Sequence, residues 1–256
     1  MSDRYFNSFE SIFDVNAIPL TLNNPFNSQL PTIAKIAATE IQGYLRTNES
    51  SFSYSFGMNP DENQPSKGKM FGVLVVRNKL GQLGYLAAYS GKLPTSFSDS
   101  RFVPSLFDEA SDDSFIGKGM RKLTEYGTEI ADLSKYPVEN EQLILDLKEK
   151  RRLKSIALQT QLFSHYNFLN QAQELKNVIQ IFEERTQNLP PAGSGECAAP
   201  KLLQFAFEND YLPIAIAEFW WGKSPKNEMR IHKQFYPPCR DKCQPILKFM
   251  LGTDQL

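Results

Sequence analysis

Two apolar runs joined by a short turn set the terms for any fold of this chain. Met70–Val76 reads Met-Phe-Gly-Val-Leu-Val-Val, and Leu83–Ser90 reads Leu-Gly-Tyr-Leu-Ala-Ala-Tyr-Ser. Both are rich in β-branched, aromatic or small apolar residues, and Asn78-Lys79-Leu80-Gly81 between them supplies turn formers. The spacing predicts a β-hairpin. Neither run alternates polar with apolar residues, so the sheet that contains them must be covered on both faces.

The cover is expected from helices on either side in sequence. Ile33, Ile36, Ala37, Ile41, Tyr44 and Leu45 share one face of a helix over Leu30–Arg46, with Pro31 near its start. Asn48–Lys69, with Pro60 and Pro65, reads as loop. From Leu93 to Pro137 the pattern is weak. Phe102–Phe107 is apolar but broken by Pro104, and acids follow at Asp108, Glu109, Asp112 and Asp113. Glu139 to about Glu184 lacks proline and glycine and predicts one or two long helices, turning near Asn167–Gln173. Leu189–Gly195 breaks the chain; a helix over Cys197–Phe207, a buried strand over Leu212–Trp220 and a helix over Cys243–Leu251 follow. The expected fold is α/β, a three-layer sheet with helices on both faces, interrupted by a long helical insertion. Residues 1–30 would be an N-terminal arm, 31–92 and 190–256 the core domain, and 93–189 the mostly helical insertion.

Charge decides little. Lys and Arg number 28 against 29 acids, so a nucleic acid would have to be met by a local patch. Met1–Pro19 has no apolar h-region, and no run approaches the roughly 20 apolar residues that span a bilayer. With three cysteines, an odd number and too few for a disulfide framework, the expected setting is the cytoplasm, with no membrane and no DNA partner.

All three cysteines lie after Gly193. Cys197 opens one expected helix, and Pro238-Cys239-Arg240-Asp241-Lys242-Cys243 opens another. His232, one of two histidines, stands seven residues before Cys239. Thiolates with or without an imidazole suit tetrahedral zinc, and helix starts stabilise thiolate charge. Cys197, Cys239, Cys243 and His232 are therefore candidate zinc ligands. The other reading is that the thiols are small core hydrophobes and His232 a surface residue. His165, far from any cysteine in sequence, reads as structural.

A second candidate site is basic. Lys223, Lys226, Arg230, Lys233, Arg240, Lys242 and Lys248 face only Glu228 and Asp241 in this stretch, interleaved with Trp220, Trp221, Phe235 and Tyr236. Cations beside aromatic platforms hold single-stranded RNA. Lys148, Lys150, Arg151, Arg152 and Lys154 form another basic cluster on the long helix. For both, a solvated face and a buried tryptophan pair are the plain alternatives.

The order of hairpin, cysteine-led helix, strand and Pro-Cys-led helix resembles the zinc-dependent nucleoside deaminase superfamily, whose helices open with His/Cys-x-Glu and Pro-Cys-x-x-Cys. Here Ala199 stands where that glutamate belongs, and three residues separate Cys239 from Cys243. Several strings also resemble the N-terminal extension of bacterial RluA-type RNA pseudouridine synthases. They are Gly68–Val76, Leu83–Leu93, Phe102–Asp108, Pro191–Leu203, Ala217–Gly222 and Phe235–Cys243. In that family the catalytic aspartate lies in an Arg-Leu-Asp signature of the following domain, and this sequence contains no such signature. The resemblance implies a non-catalytic accessory module of RNA modification that binds RNA or a pseudouridine synthase domain in cis or in trans. The alternative is a zinc-dependent deaminase-type hydrolase.

Overall fold

A computed structural model describes residues 4–27, 29–49, 52, 54–58, 67–91, 93, 99–107, 114–226 and 228–253. In chain order its elements are α1 (Thr32–Thr47), β1 (Lys69–Arg77), β2 (Leu83–Tyr89), α2 (Phe115–Leu133), α3 (Glu141–Phe163), β3 (Asn167–Leu169), β4 (Leu175–Asn177), α4 (Val178–Thr186), α5 (Ala198–Glu208), β5 (Leu212–Trp221) and α6 (Arg240–Met250). The protein is mixed α/β. Residues up to Leu106, together with Phe168 onward, form one compact unit, and Phe107–Asn167 form a second.

In the larger unit β1 is the central strand of an antiparallel sheet ordered β2-β1-β5. The predicted hairpin pairs Phe71 with Tyr89 through Arg77 with Leu83. Its turn is built by Asn78, whose Oδ1 accepts from the N–H groups of Leu80 and Gln82, while Gly81 takes a positive φ of 77°. Phe71, Val73 and Val75 of β1 point with Tyr85, Ala87, Ala215, Ala217 and Phe219 into a core closed by Ile33, Ala37, Ile41 and Leu45 of α1. On the opposite face α5 packs across all three strands. The absence of a side chain at Gly72 permits this approach: a Cβ there would meet Ala198 Cβ at 2.9 Å and Leu202 Cδ1 at 3.1 Å.

The described residues among the first thirty do not stand apart as an arm. Asn7 exchanges both backbone hydrogen bonds with Tyr85 on the β2 edge. On the β5 edge, the Asn23 side chain donates to the Ile216 carbonyl and accepts from its N–H. Residues 233–236 continue along the β5 edge, where Trp220 N–H donates to the Gln234 carbonyl and Tyr236 N–H to the Glu218 carbonyl.

The helical insertion is narrower than the expected 93–189. In the smaller unit α2 and α3 run antiparallel, with Gly119 against Leu158 and Gly127 against Arg151. His165 stacks on Phe107 and Phe115 at 4.4 and 5.5 Å between ring centres. The chain turns within the expected Asn167–Gln173, but between α3 and α4 asparagines shape two short strands in place of continuous helix. Asn170 Oδ1 accepts from Ala172 and Glu174 N–H groups and turns β3 into β4. Asn177 then caps α4 in a capping box with Gln180. Helix α4 belongs to the larger unit, where it packs on α6.

Gly72→Val would force two branches between β1 and α5. The expected loss is about 2 kcal/mol of unfolding free energy, read from urea midpoints; an unchanged midpoint would mean that α5 does not cover this face.

Candidate metal centre

Cys197 and Cys239 are each the residue before a helix, in extended conformation with ψ of 158° and 144°. Cys243 lies one turn into α6, its N–H donating to the Cys239 carbonyl at 3.2 Å. Packing of α5 on α6 brings the two helix starts together. Cys239 Sγ lies 3.3 Å from Cys243 Sγ and 3.9 Å from Cys197 Sγ, and all three sulfurs fall within 4.8 Å of one another. A tetrahedral ion with bonds of about 2.3 Å to sulfur separates its sulfurs by about 3.8 Å. The trio brackets that spacing. Cys243 is buried, Cys197 half-buried and Cys239 exposed.

The approach to Cys197 is held by a buried lysine. Lys201, 2 % exposed, donates to the carbonyls of Tyr89 at 3.0 Å and Gly91 at 2.8 Å, with Glu196 Oε2 at 3.6 Å. Gly91 N–H donates in turn to the Glu196 carbonyl. The end of β2 is thereby tied to the residue before Cys197.

Electrostatics divides the thiols. Cys239 is drawn well below the usual thiol range by hydrogen bonds from Cys197 and Cys243, helped by the N–H groups of Lys242 and Cys243. Cys197 is pushed up, first by its hydrogen bond to Cys239, and Cys243 is pushed up by hydrogen bonds to both neighbours and by burial. Of the three, Cys239 is the one that favours negative charge.

A buried carboxylate that sequence reasoning missed lies at the same helix start as Cys197. Glu218, only 4 % exposed, reaches from β5 to the first turn of α5 and accepts from Ala199 N–H at 2.9 Å. Burial raises its pKa to about 8; the Ala199 N–H opposes the rise and the charge on Cys239 adds to it. The signal was an acid in the middle of an otherwise apolar strand, Ile214-Ala215-Ile216-Ala217-Glu218-Phe219. Glu218 also borders a cavity of about 130 Å³, with Ile216, Phe235, Tyr236 and Pro238 among its walls.

His232 is not part of the centre. Its Nδ1 accepts from Gly222 N–H at 3.0 Å and its ring packs on Trp221 at 4.3 Å, so the β5 end and not the sulfur cluster claims it. Among the basic candidates, Lys223, Lys226, Lys233 and Arg240 are exposed and Lys242 is half-buried. Arg230 is engaged, paired with Glu228 at 2.6 Å and lying over the Tyr236 ring at 4.3 Å. The aromatic platforms are largely spent: Trp221 is buried in the core, Phe235 packs against it, and Trp220 Nε1 donates to the Lys223 carbonyl. In the smaller unit Lys148, Lys150, Arg151, Arg152 and Lys154 are exposed on α3, with Arg152 paired to Glu149. No described helix is long and apolar enough to cross a membrane.

Comparison with protein-family models, curated proteins and solved structures finds no match for the chain.

Glu218 gives a pH prediction. Its pKa is higher in the fold than the ordinary value of 4.5, so the fold favours the protonated acid. That contribution is complete below pH 4.5 and is lost as pH rises through about 8. Glu218→Gln mimics the protonated form. Its stability advantage over wild type should grow from pH 4.5 to 8 and then level off, in urea titrations at matched metal content. A difference independent of pH would contradict this.

Proposed function

We propose that the chain is a zinc-holding, non-catalytic accessory module of RNA modification. The observation that carries the metal part is the convergence of Cys197, Cys239 and Cys243 from two helix starts to within 4.8 Å. Three soft donors at that spacing select a thiophilic ion of the zinc type. An ion there links α5 to α6 and contributes directly to folding free energy. The setting proposed is the cytoplasm, where thiols stay reduced and open to a metal.

The RNA part rests on the resemblance of Gly68–Val76, Pro191–Leu203 and Phe235–Cys243 to the pseudouridine synthase extension, and on the exposed cations Lys223, Lys226, Lys233 and Arg240. The three-layer, deaminase-like reading of the fold draws support from α1 and α5 on opposite faces of the sheet and from two cysteine-led helices.

Purified protein should carry about one zinc per chain, and Cys239→Ser should lose it together with thermal stability. Protein that is metal-free, with a urea midpoint indifferent to zinc and to chelator, would sink the metal reading. Single-stranded RNA should bind with an affinity that falls steeply with salt. Lys223→Gln, Lys226→Gln and Arg240→Gln together should reduce the logarithmic salt slope by about 2. A slope unaltered by the triple change would remove this face from consideration.

A second reading is favoured by one observation. The Glu218 carboxylate is bonded to the N–H of Ala199, the position at which the deaminase superfamily carries its glutamate. In a zinc-dependent deaminase-type hydrolase, Glu218 would be the proton-carrying group beside the centre. Zinc-loaded protein would then release ammonia from free nucleosides, and Glu218→Gln would abolish it while retaining zinc. Absence of ammonia from both proteins decides for the accessory module.

A further inference from the structure

The three sulfurs differ in access, and the difference carries chemistry of its own. Cys239 is the exposed member, while Cys243 is fully buried and Cys197 half-buried. A reagent arriving from solvent therefore meets Cys239 first. Its nearest neighbour is Cys243 at 3.3 Å; Cys197 is farther, at 3.9 Å. The pair spans the N-cap and the first turn of α6, tied by the Cys243 N–H to Cys239 carbonyl bond. Four residues of helical rise place their Cα atoms about 6 Å apart, inside the range of about 4.4–6.8 Å that a disulfide spans. Joining the sulfurs requires an approach of about 1.3 Å toward a bond of about 2.05 Å.

We propose that Cys239 is a site of oxidative modification by hydroperoxides, ending in a Cys239–Cys243 disulfide that expels the metal. The expulsion rests on the zinc reading above; the disulfide does not. In the first step the Cys239 thiolate attacks one peroxide oxygen. A sulfur–oxygen bond forms, the oxygen–oxygen bond breaks, and hydroxide leaves, giving a sulfenic acid. In the second step Cys243 gives up its proton and its sulfur attacks that sulfur. A sulfur–sulfur bond forms, the sulfur–oxygen bond breaks, and the departing hydroxide takes the proton and leaves as water. The two sulfurs supply two electrons, and one hydrogen peroxide is reduced to hydroxide and water. A cation held by the trio would then keep only Cys197 of its three sulfur donors and would be released. The link between the starts of α5 and α6 goes with it, so an oxidant at the surface loosens the junction against which Glu218 is buried. A dithiol reductant and fresh zinc restore the starting state.

The full-length chain, loaded with zinc, is treated with hydrogen peroxide while released zinc is followed with a chromogenic chelator and thiols are mapped by alkylation and mass spectrometry. One zinc released and two thiols lost per chain are expected, with Cys239 and Cys243 joined in one peptide pair and Cys197 still alkylated. Cys197→Ser should form the same disulfide, because the reacting pair is intact. A Cys197–Cys239 pair, a Cys239 sulfinic acid formed without any disulfide, or zinc retained after the thiols are lost would overturn the proposal. A chain that takes up no zinc fails the metal reading alone, and its thiol map still decides whether Cys239 and Cys243 form the modification site.

Discussion

A three-stranded sheet that is apolar on both faces has two problems, and the rest of the larger unit answers them. The faces must leave water, and the strand edges must not present unpaired peptide groups. Helix α1 covers one face with Ile33, Ala37, Ile41 and Leu45, and α5 covers the other through the gap left by Gly72. The edges are closed by two asparagines from the N-terminal segment, Asn7 on β2 and Asn23 on β5, with residues 233–236 completing the β5 side. The same segment that closes the β5 edge also leads the chain to Pro238 and Cys239. Edge closure thus delivers the second cysteine-led helix to its place.

The position of the sulfur trio follows from that packing. Helix α5 can lie close to the sheet because its first turn is Ala198-Ala199 and β1 offers Gly72. Its start is then fixed from two sides, by Lys201 bonded to the carbonyls of Tyr89 and Gly91 and by Glu218 bonded to Ala199 N–H. Helix α6 is held between α4 and α5. Two extended N-cap residues on neighbouring helices therefore face each other, and both are cysteine.

What was legible in the sequence divides along physical lines. The hairpin and α1 could be read because their patterns are local and their residues make the contacts that the patterns announce. The cysteines could be singled out because scarce residues gathered near two helix starts are visible without a fold. Helix α2 escaped because Gly117, Gly119 and Gly127 dilute its helical pattern; one of them is there to admit Leu158. The turn near Asn167–Gln173 was legible, but the short strands β3 and β4 on either side of it escaped, because Asn170 and Asn177 act through side-chain bonds to backbone, which periodicity does not register. His232 lies near Cys239 in sequence, yet Gly222 and Trp221 hold it at the end of β5. Glu218 is the reverse case. It lies 21 residues from both Cys197 and Cys239, and only the sheet and α5 together bring its carboxylate to the site.

The charge balance of the site bears on what it is for. Cys197, Cys243 and Glu218 all favour their protonated forms, and Cys239 alone favours its anion. Each added negative charge at this burial is opposed by those already present, so the cluster resists further ionisation. A divalent cation bound there would reverse the sign of the problem: it would stabilise the thiolates, and the protons of Cys197 and Cys243 would leave as it entered. Cation and protons would then compete for one cluster.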